Sequence, residues 1–281
     1  MTFSPTVVSV GLAIIVVLSG LALVALKIRA RFRRLDRQLD ALVARIDEKA
    51  LETQHALALQ QLGFRVPVFY GDWSIDPFLG KFILQHLIEN QTRSILELGS
   101  GSSTVLIARC LRALGRSDCL HIAVDHDSRF LELTRRNLRL NDLAEGVELW
   151  YCPLAPVAGS DKVWYGGLKE KLRDKSIDLL IVDGPPGALQ PESRFPALPT
   201  LLPFLSEVCV VILDDASRAD ERSVARKWAA AYPRFSLEFL LEGHGLAVLR
   251  KQPGSVTDAA QVAHAEDRAP LRGQSDAHSL R

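Results

Sequence analysis

Three regimes of apolar patterning follow one another along the chain. From Thr6 to Leu26 (TVVSVGLAIIVVLSGLALVAL) no residue is charged. At about 1.5 Å of rise per residue, such a helix crosses a hydrocarbon core of about 30 Å. The run therefore predicts a membrane-spanning anchor within residues 1–30. Lys27, Arg29, Arg31, Arg33 and Arg34 follow it, while only the α-amino group precedes it. Positive flanks stay on the cytoplasmic side, so everything after Lys27 is expected in the cytoplasm of a single-pass membrane protein. A cleaved leader would instead begin with a basic segment and carry a shorter apolar core. A buried core helix would need a second element of comparable apolarity to cover it, and the chain has none.

The second regime, residues 31–63, has a 3.6-residue period. Phe32, Leu35, Leu39, Leu42 and Ile46 recur at steps of three and four, one stripe on a helix free of Gly and Pro until Gly63. Beyond Ile46 the seam weakens to Lys49, Ala50 and Thr53. A short coiled coil that makes a homodimer, and a helix lying on the following domain, both fit this pattern. The third regime, residues 64–251, alternates short β-branched runs with helical stretches. The runs are Ser94–Leu98, His121–Asp125, Val147–Tyr151, Ile177–Asp183, Val208–Asp214, Phe235–Leu241 and Leu246–Arg250. Continuous apolar runs separated by helices suit strands buried on both faces of a parallel sheet. The last two are joined only by Glu242–Gly245, a link that permits an antiparallel hairpin but no crossover helix. Residues 252–281, rich in Ala, Ser, Asp, Gly and Arg without periodicity, read as a disordered tail.

Composition narrows the class. With 281 residues the chain holds one ordinary α/β domain plus attachments. A net charge of +1 argues against a nucleic-acid partner bound through bulk positive charge. Cys110, Cys119, Cys152 and Cys209 form no CxxC pair, so neither a zinc ribbon nor a disulfide framework is signalled.

Candidate chemistry gathers where the strands end. In a doubly wound sheet, ligands bind at the carboxyl ends of the strands near the switch in strand order. Gly99-Ser100-Gly101 follows the first strand, and its glycines let a ligand approach the backbone. Asp125 ends the second, where a carboxylate can accept both hydroxyls of a ribose. A dinucleotide fingerprint wants a third glycine where Thr104 stands. Glu97 instead opens an E-x-G-x-G pattern of the kind found in S-adenosylmethionine enzymes. Asp183 ends the fourth strand, and Asp214 with Asp215 ends the fifth. Neighbouring strands would bring these three acids to one rim, where they repel unless protonated or bridged by a cation. Oxygen-only ligands suit Mg²⁺, Mn²⁺ or Ca²⁺. Other readings stay open. Asp215 could cap the helix starting near Ser217, Asp183 could hold the Gly184–Gly187 turn, and Asp214 could pair with Arg218.

The segments ILELGSGSST, VDHD, LLIVDGPPG and VVILDDASRADE resemble a class I S-adenosylmethionine-dependent methyltransferase over residues 64–251. The resemblance implies an α/β, Rossmann-like, doubly wound sheet of seven strands closed by the antiparallel hairpin. It implies S-adenosyl-L-methionine held by Glu97, Gly99, Ser100, Gly101, Thr104, Asp125, His126 and Asp183. The acids at 183, 214 and 215 resemble those of catechol and caffeoyl-CoA type O-methyltransferases, which hold a divalent cation there. Asp183, Asp214 and Asp215 are then the expected metal ligands, with Asp183 and Asp214 catalytic. One departure matters: the lysine base those enzymes place three residues after the first metal ligand is here Pro186. Lys169, His244 and Glu221 stand as substitutes. Trp73, Cys152, Leu154 and Trp164–Gly167 are further candidates for lining cofactor or substrate. The expected function is O-methylation of a small-molecule or lipid-linked glycan acceptor at the membrane. A nucleotide- or NAD-binding oxidoreductase and a non-enzymatic membrane scaffold are the alternatives.

Overall fold

The computed structural model describes residues 5–71, 74–157 and 159–253, and for residues 5–17 the helical backbone alone. Trp73 and the expected tail from residue 254 onward lie outside the described residues. Contacts divide the chain into two units, Met1–Gln54 and His55–Arg281. The division falls inside the first helix, α1 (Pro5–Gln60), rather than at the glycine of residue 63.

The first unit is helical throughout its described part. Its stripe is bare: Phe32, Leu35, Leu39, Leu42 and Ile46 are each more than half exposed. Among the described residues no helix is long and apolar enough to cross a membrane. Residues 6–17 of the expected anchor fall where side chains are not described.

In the second unit, the helices are α2 (Pro77–Glu89), α3 (Ser102–Ala113), α4 (Ser128–Leu140), α5 (Leu168–Lys171), α6 (Ala197–Leu201) and α7 (Ala219–Ala231). The strands are β1 (Ser94–Leu98), β2 (Leu120–Asp125), β3 (Glu148–Tyr151), β4 (Leu154–Pro156), β5 (Val163–Tyr165), β6 (Ile177–Val182), β7 (Leu205–Leu213), β8 (Phe235–Leu240) and β9 (Leu246–Lys251). Seven of them form one sheet in the order β3-β2-β1-β6-β7-β9-β8. β1, β2, β3, β6 and β7 pair in parallel, whereas β9 runs antiparallel to both β7 and β8. This is the expected doubly wound sheet with its terminal hairpin.

Side chains alternate across a strand, so each strand feeds two cores. Ile95, Leu179, Ile181, Ile212 and Val248 pack with Leu79, Ile83, Leu106 and Ile107 of α2 and α3. Leu96, Leu98, Leu180, Val182, Val211 and Leu249 pack instead with Leu198, Val224 and Trp228 of α6 and α7. Leu59, in the last turn of α1, is 1% exposed and belongs to the first of these cores.

Two details depart from the sequence reading. The segment holding Leu154 and Trp164-Tyr165 is not an open connection: β4 and β5 form a small antiparallel ribbon of their own, and Trp164 and Tyr165 are buried. β7 begins at Leu205 rather than Val208, whose side chain is exposed. Strand order reverses between β1 and β6, and there the loops after Leu98 and Val182 meet.

Candidate active site

Gly99 leaves β1 with φ +102°, a left-handed conformation that a side chain would strain. Its N–H donates to the Val124 carbonyl at 2.9 Å, continuing the β1–β2 ladder. A Cβ on Gly99 would stand 3.4 Å from the Gly184 nitrogen, so the loops after β1 and β6 nearly touch. Gly184 is more constrained. A Cβ there would collide with the Tyr165 hydroxyl and lie 3.2 Å from both Gly99 N and Leu98 O. Gly101 differs from both, because a Cβ there would meet nothing within 4 Å. The protein's own packing does not demand a glycine at 101, whereas close approach of a ligand would.

Asp125 faces this loop. Its Oδ2 accepts from Ser100 N–H at 3.0 Å and Ser100 O–H at 2.9 Å, and its Oδ1 accepts from Asp127 N–H at 3.0 Å. His126 Nδ1 lies 3.4 Å from Asp125 Oδ1. Thr104, in the first turn of α3, accepts from Gly101 N–H at 3.2 Å. Glu97 Oε1 meets His121 Nε2 of β2 at 2.6 Å, with both side chains wholly buried, and its Oε2 has no partner among the described residues. The Tyr165 hydroxyl is buried against Gly184 without a hydrogen-bond partner among the described residues. Desolvation first, then the charges of Asp125 and Asp183, push its ionisation well above the normal range.

The three acids do converge. Asp183, Asp214 and Asp215 each offer an oxygen within 4.8 Å of the others. A residue absent from the sequence reading lies among them. Arg194, 3% exposed, donates through Nη2 to Asp183 Oδ1 at 3.1 Å and to Asp215 Oδ2 at 2.9 Å. Its Nη1 donates to the Asp214 carbonyl at 2.9 Å. Arg218 adds a second guanidinium 2.8 Å from Asp215 Oδ2, so it pairs with Asp215 rather than with Asp214. Asp215 adopts φ +61° and does not cap α7, whose N-cap is Arg218. The Asp183 carboxylate turns to Arg194, not to the Gly184–Gly187 turn.

Among the candidate bases, Lys169 is exposed on α5 and Glu221 is buried at the start of α7. His244, in the β8–β9 turn, comes closest to the acids: its Nδ1 is 3.8 Å from both Asp76 Oδ2 and Asp215 Oδ1. Asp76 also caps α2, accepting from Leu79 N–H at 2.8 Å, and accepts from His244 N–H at 3.0 Å. Cys152 is buried just beyond β3.

Desolvation pushes the Asp183 carboxyl up to about 6 against the pull of Arg194, and Asp214 well above its ordinary value of 3.8. A carboxyl raised in the folded state takes up its proton there before the unfolded chain does. Its stabilising contribution is complete below 3.8 and is lost as pH rises through about 6. The unfolding-temperature advantage of wild type over Asp183→Asn should therefore grow as pH falls from 7 to 5. A pH-independent difference in paired melting curves would contradict it.

A sequence-family profile described as a methyltransferase domain matches residues 96–216. Over that stretch the chain is similar to a methyltransferase domain. That stretch runs from β1 to the turn after β7 and holds Glu97, Asp125, Asp183, Asp214 and Asp215, while Asp76 and Glu221 lie outside it. A curated relative, the ribosomal protein L11 methyltransferase of Pelobacter propionicus, is 38% identical over 69 residues. The match covers 25% of this chain and spans 21% of that relative's length. Among solved structures, a Staphylococcus aureus protein described as a caffeoyl-CoA O-methyltransferase aligns with TM-score 0.50 at 18% identity, covering 73% of this chain and 99% of that one. The Podospora anserina methyltransferase PaMTH1, bound to S-adenosylhomocysteine, aligns with TM-score 0.50 at 15% identity, covering 71% and 87%. At these identities the structural likenesses establish the fold alone.

The domain's residues fit one implied group and not the other. A cleft with open space at Gly101, a buried carboxylate at Asp125 and an unpartnered phenol at Tyr165 suits a polar adenosyl ligand. The acidic rim does not suit a divalent cation, because a guanidinium already stands where the metal's charge would have to be. Arg194 was hidden from sequence reasoning: it lies in an irregular segment before α6, eleven residues from the nearest acid of the rim. Only the buried run around it (Ser193, Arg194, then Ala197 and Leu198) sets it apart, and burial is not visible in a sequence.

Proposed function

We propose that the chain is an S-adenosylmethionine-dependent O-methyltransferase acting on a hydroxyl-bearing acceptor. The observation that carries this reading is the shared cleft of the Gly99–Gly101 loop and Asp125, tied together through Ser100 within the stretch matched as a methyltransferase domain. Gly99, Ser100, Gly101 and Thr104 shape the cradle, and Asp125 and His126 face the sugar and base of the cofactor. When bound, S-adenosyl-L-methionine supplies a methyl group on a positively charged sulfur, which departs with the electrons of the broken bond. The protein's share is alignment and proton management. Asp183 sits beside the glycine loop with one oxygen held by Arg194, and its Oδ2 has no partner among the described residues. That oxygen takes the acceptor's hydroxyl proton as the new C–O bond forms. Asp214, buried behind it, accepts Asp215 N–H at 2.7 Å and keeps the rim in register.

Titration calorimetry with S-adenosylhomocysteine and with NAD tests the reading. Micromolar binding of the first with none of the second is expected, and selective NAD binding would refute it.

The surroundings support a membrane-associated acceptor, a lipid-linked sugar or another envelope precursor. The uncharged run Thr6–Leu26 with its basic flank supports a single-pass anchor facing the second unit into the cytoplasm, and an anchor raises enzyme concentration near such acceptors. A chain lacking residues 1–30 should move from the membrane pellet to the supernatant on fractionation, and retention in the pellet would remove the anchor from the reading. The exposed stripe on α1 supports a parallel homodimer: with Phe32, Leu39 and Ile46 at a positions, Arg31 at g faces Asp36 at e of a second copy.

A further inference from the structure

We propose that Arg194 is the resident cation of the acidic rim, so that this site excludes divalent metal and turns Asp183 toward the acceptor without one. The inference rests on the methyltransferase reading for the acceptor, but its claim about metal stands on geometry alone. Three carboxylates within 4.8 Å of one another are the donor set a hard cation would choose. Yet the Arg194 side chain is 3% exposed and donates to two of them and to the backbone of the third. A planar guanidinium fits carboxylate pairs, stays charged at every accessible pH, and cannot be displaced without leaving buried charge behind.

The surroundings agree. Arg218 faces Asp215 from the solvent side, so two guanidinium groups answer three carboxylates. The segment that brings Arg194 in is itself fastened: Ser193 O–H donates to the Pro186 carbonyl at 2.9 Å, tying it to the loop that follows Asp183.

The consequence concerns the acceptor. A metal that grips its substrate by chelation favours two adjacent oxygens. A rim neutralised by arginine makes no such demand, so a single hydroxyl meets its needs. Arg194 acts here through Asp183 and is a positioning residue.

The decisive measurement is calorimetric titration of the whole chain with Mn²⁺, run beside a titration with S-adenosylhomocysteine. No Mn²⁺ binding tighter than ~1 mM, the weak end of natural oxygen-ligand sites, is expected for the wild type. Arg194→Gln removes the fixed charge and should raise Mn²⁺ affinity by ~100-fold or more. Tight Mn²⁺ binding by the wild type that Asp214→Asn abolishes would overturn the proposal. So would an Arg194→Gln protein that folds and still ignores Mn²⁺. Should that variant not fold, the wild-type titration decides alone. Failure to bind S-adenosylhomocysteine would sink the methyltransferase reading while leaving the Mn²⁺ result interpretable.

Discussion

Replacing Arg194 with methionine should lower the folding stability of the His55–Arg281 unit by about 3–5 kcal/mol, the usual cost of removing one partner from a buried ion pair. Methionine keeps the volume of the aliphatic stem and removes the guanidinium, so the loss reports electrostatics more than packing of the stem. Asp215, 9% exposed, would keep only the outer guanidinium of Arg218, and the carbonyl of Asp214 would lose its donor. Asp183, whose side chain is 39% exposed, contributes less than the more deeply buried Asp215. Against the ordinary 5–15 kcal/mol of domain stability, the change approaches unfolding. Urea denaturation monitored by tryptophan fluorescence measures it, and a loss below about 1 kcal/mol would place the cluster in the class of weak surface pairs. Adding Asp215→Asn to the methionine variant should restore part of the loss, since the charge left bare is then gone.

Asp125→Ala carries the largest functional effect. The carboxylate is the proposed acceptor for both ribose hydroxyls, and hydrogen bonds to a charged group contribute about 1.5–3 kcal/mol each. Affinity for S-adenosylhomocysteine should fall by at least ~100-fold. The substitution also frees Ser100 N–H, Ser100 O–H and Asp127 N–H, which now converge on this side chain. Part of the loss would therefore come from a slackened glycine loop. Ser100→Ala separates the two contributions, because it removes one of these bonds and leaves the carboxylate in place; its affinity should fall by less than tenfold. Equal losses in both variants would move Asp125 from ligand contact to loop support.

Much of this molecule was open to reading from its residues. The strands announced themselves because a parallel sheet covered on both faces admits only uninterrupted apolar runs, as in Ser94–Leu98 and Ile177–Val182. The short Glu242–Gly245 link forced the hairpin, since four residues cannot cross a sheet. The positions of Gly99 and Asp125, at the turn after β1 and at the end of β2, were legible because they depend on local backbone geometry and on a strand's end. The β4–β5 ribbon escaped, because three-residue strands carry too little pattern to distinguish them from a loop. Asp76, which caps α2 and also holds the β8–β9 turn, joins segments 168 residues apart in sequence.

Local sequence decided the order of elements, the alternation of core faces and the position of each acid at the end of its strand. These follow from periodicity and from what short stretches of backbone can do. The identity of the counter-charge came from the folded chain alone. Three aspartates at one rim call for positive charge, and nothing in their own segments says whether a metal or an arginine brings it. Arg194 reaches them only after β6, β7 and the segment before α6 are packed, because electrostatic pairing depends on distance in space rather than along the chain.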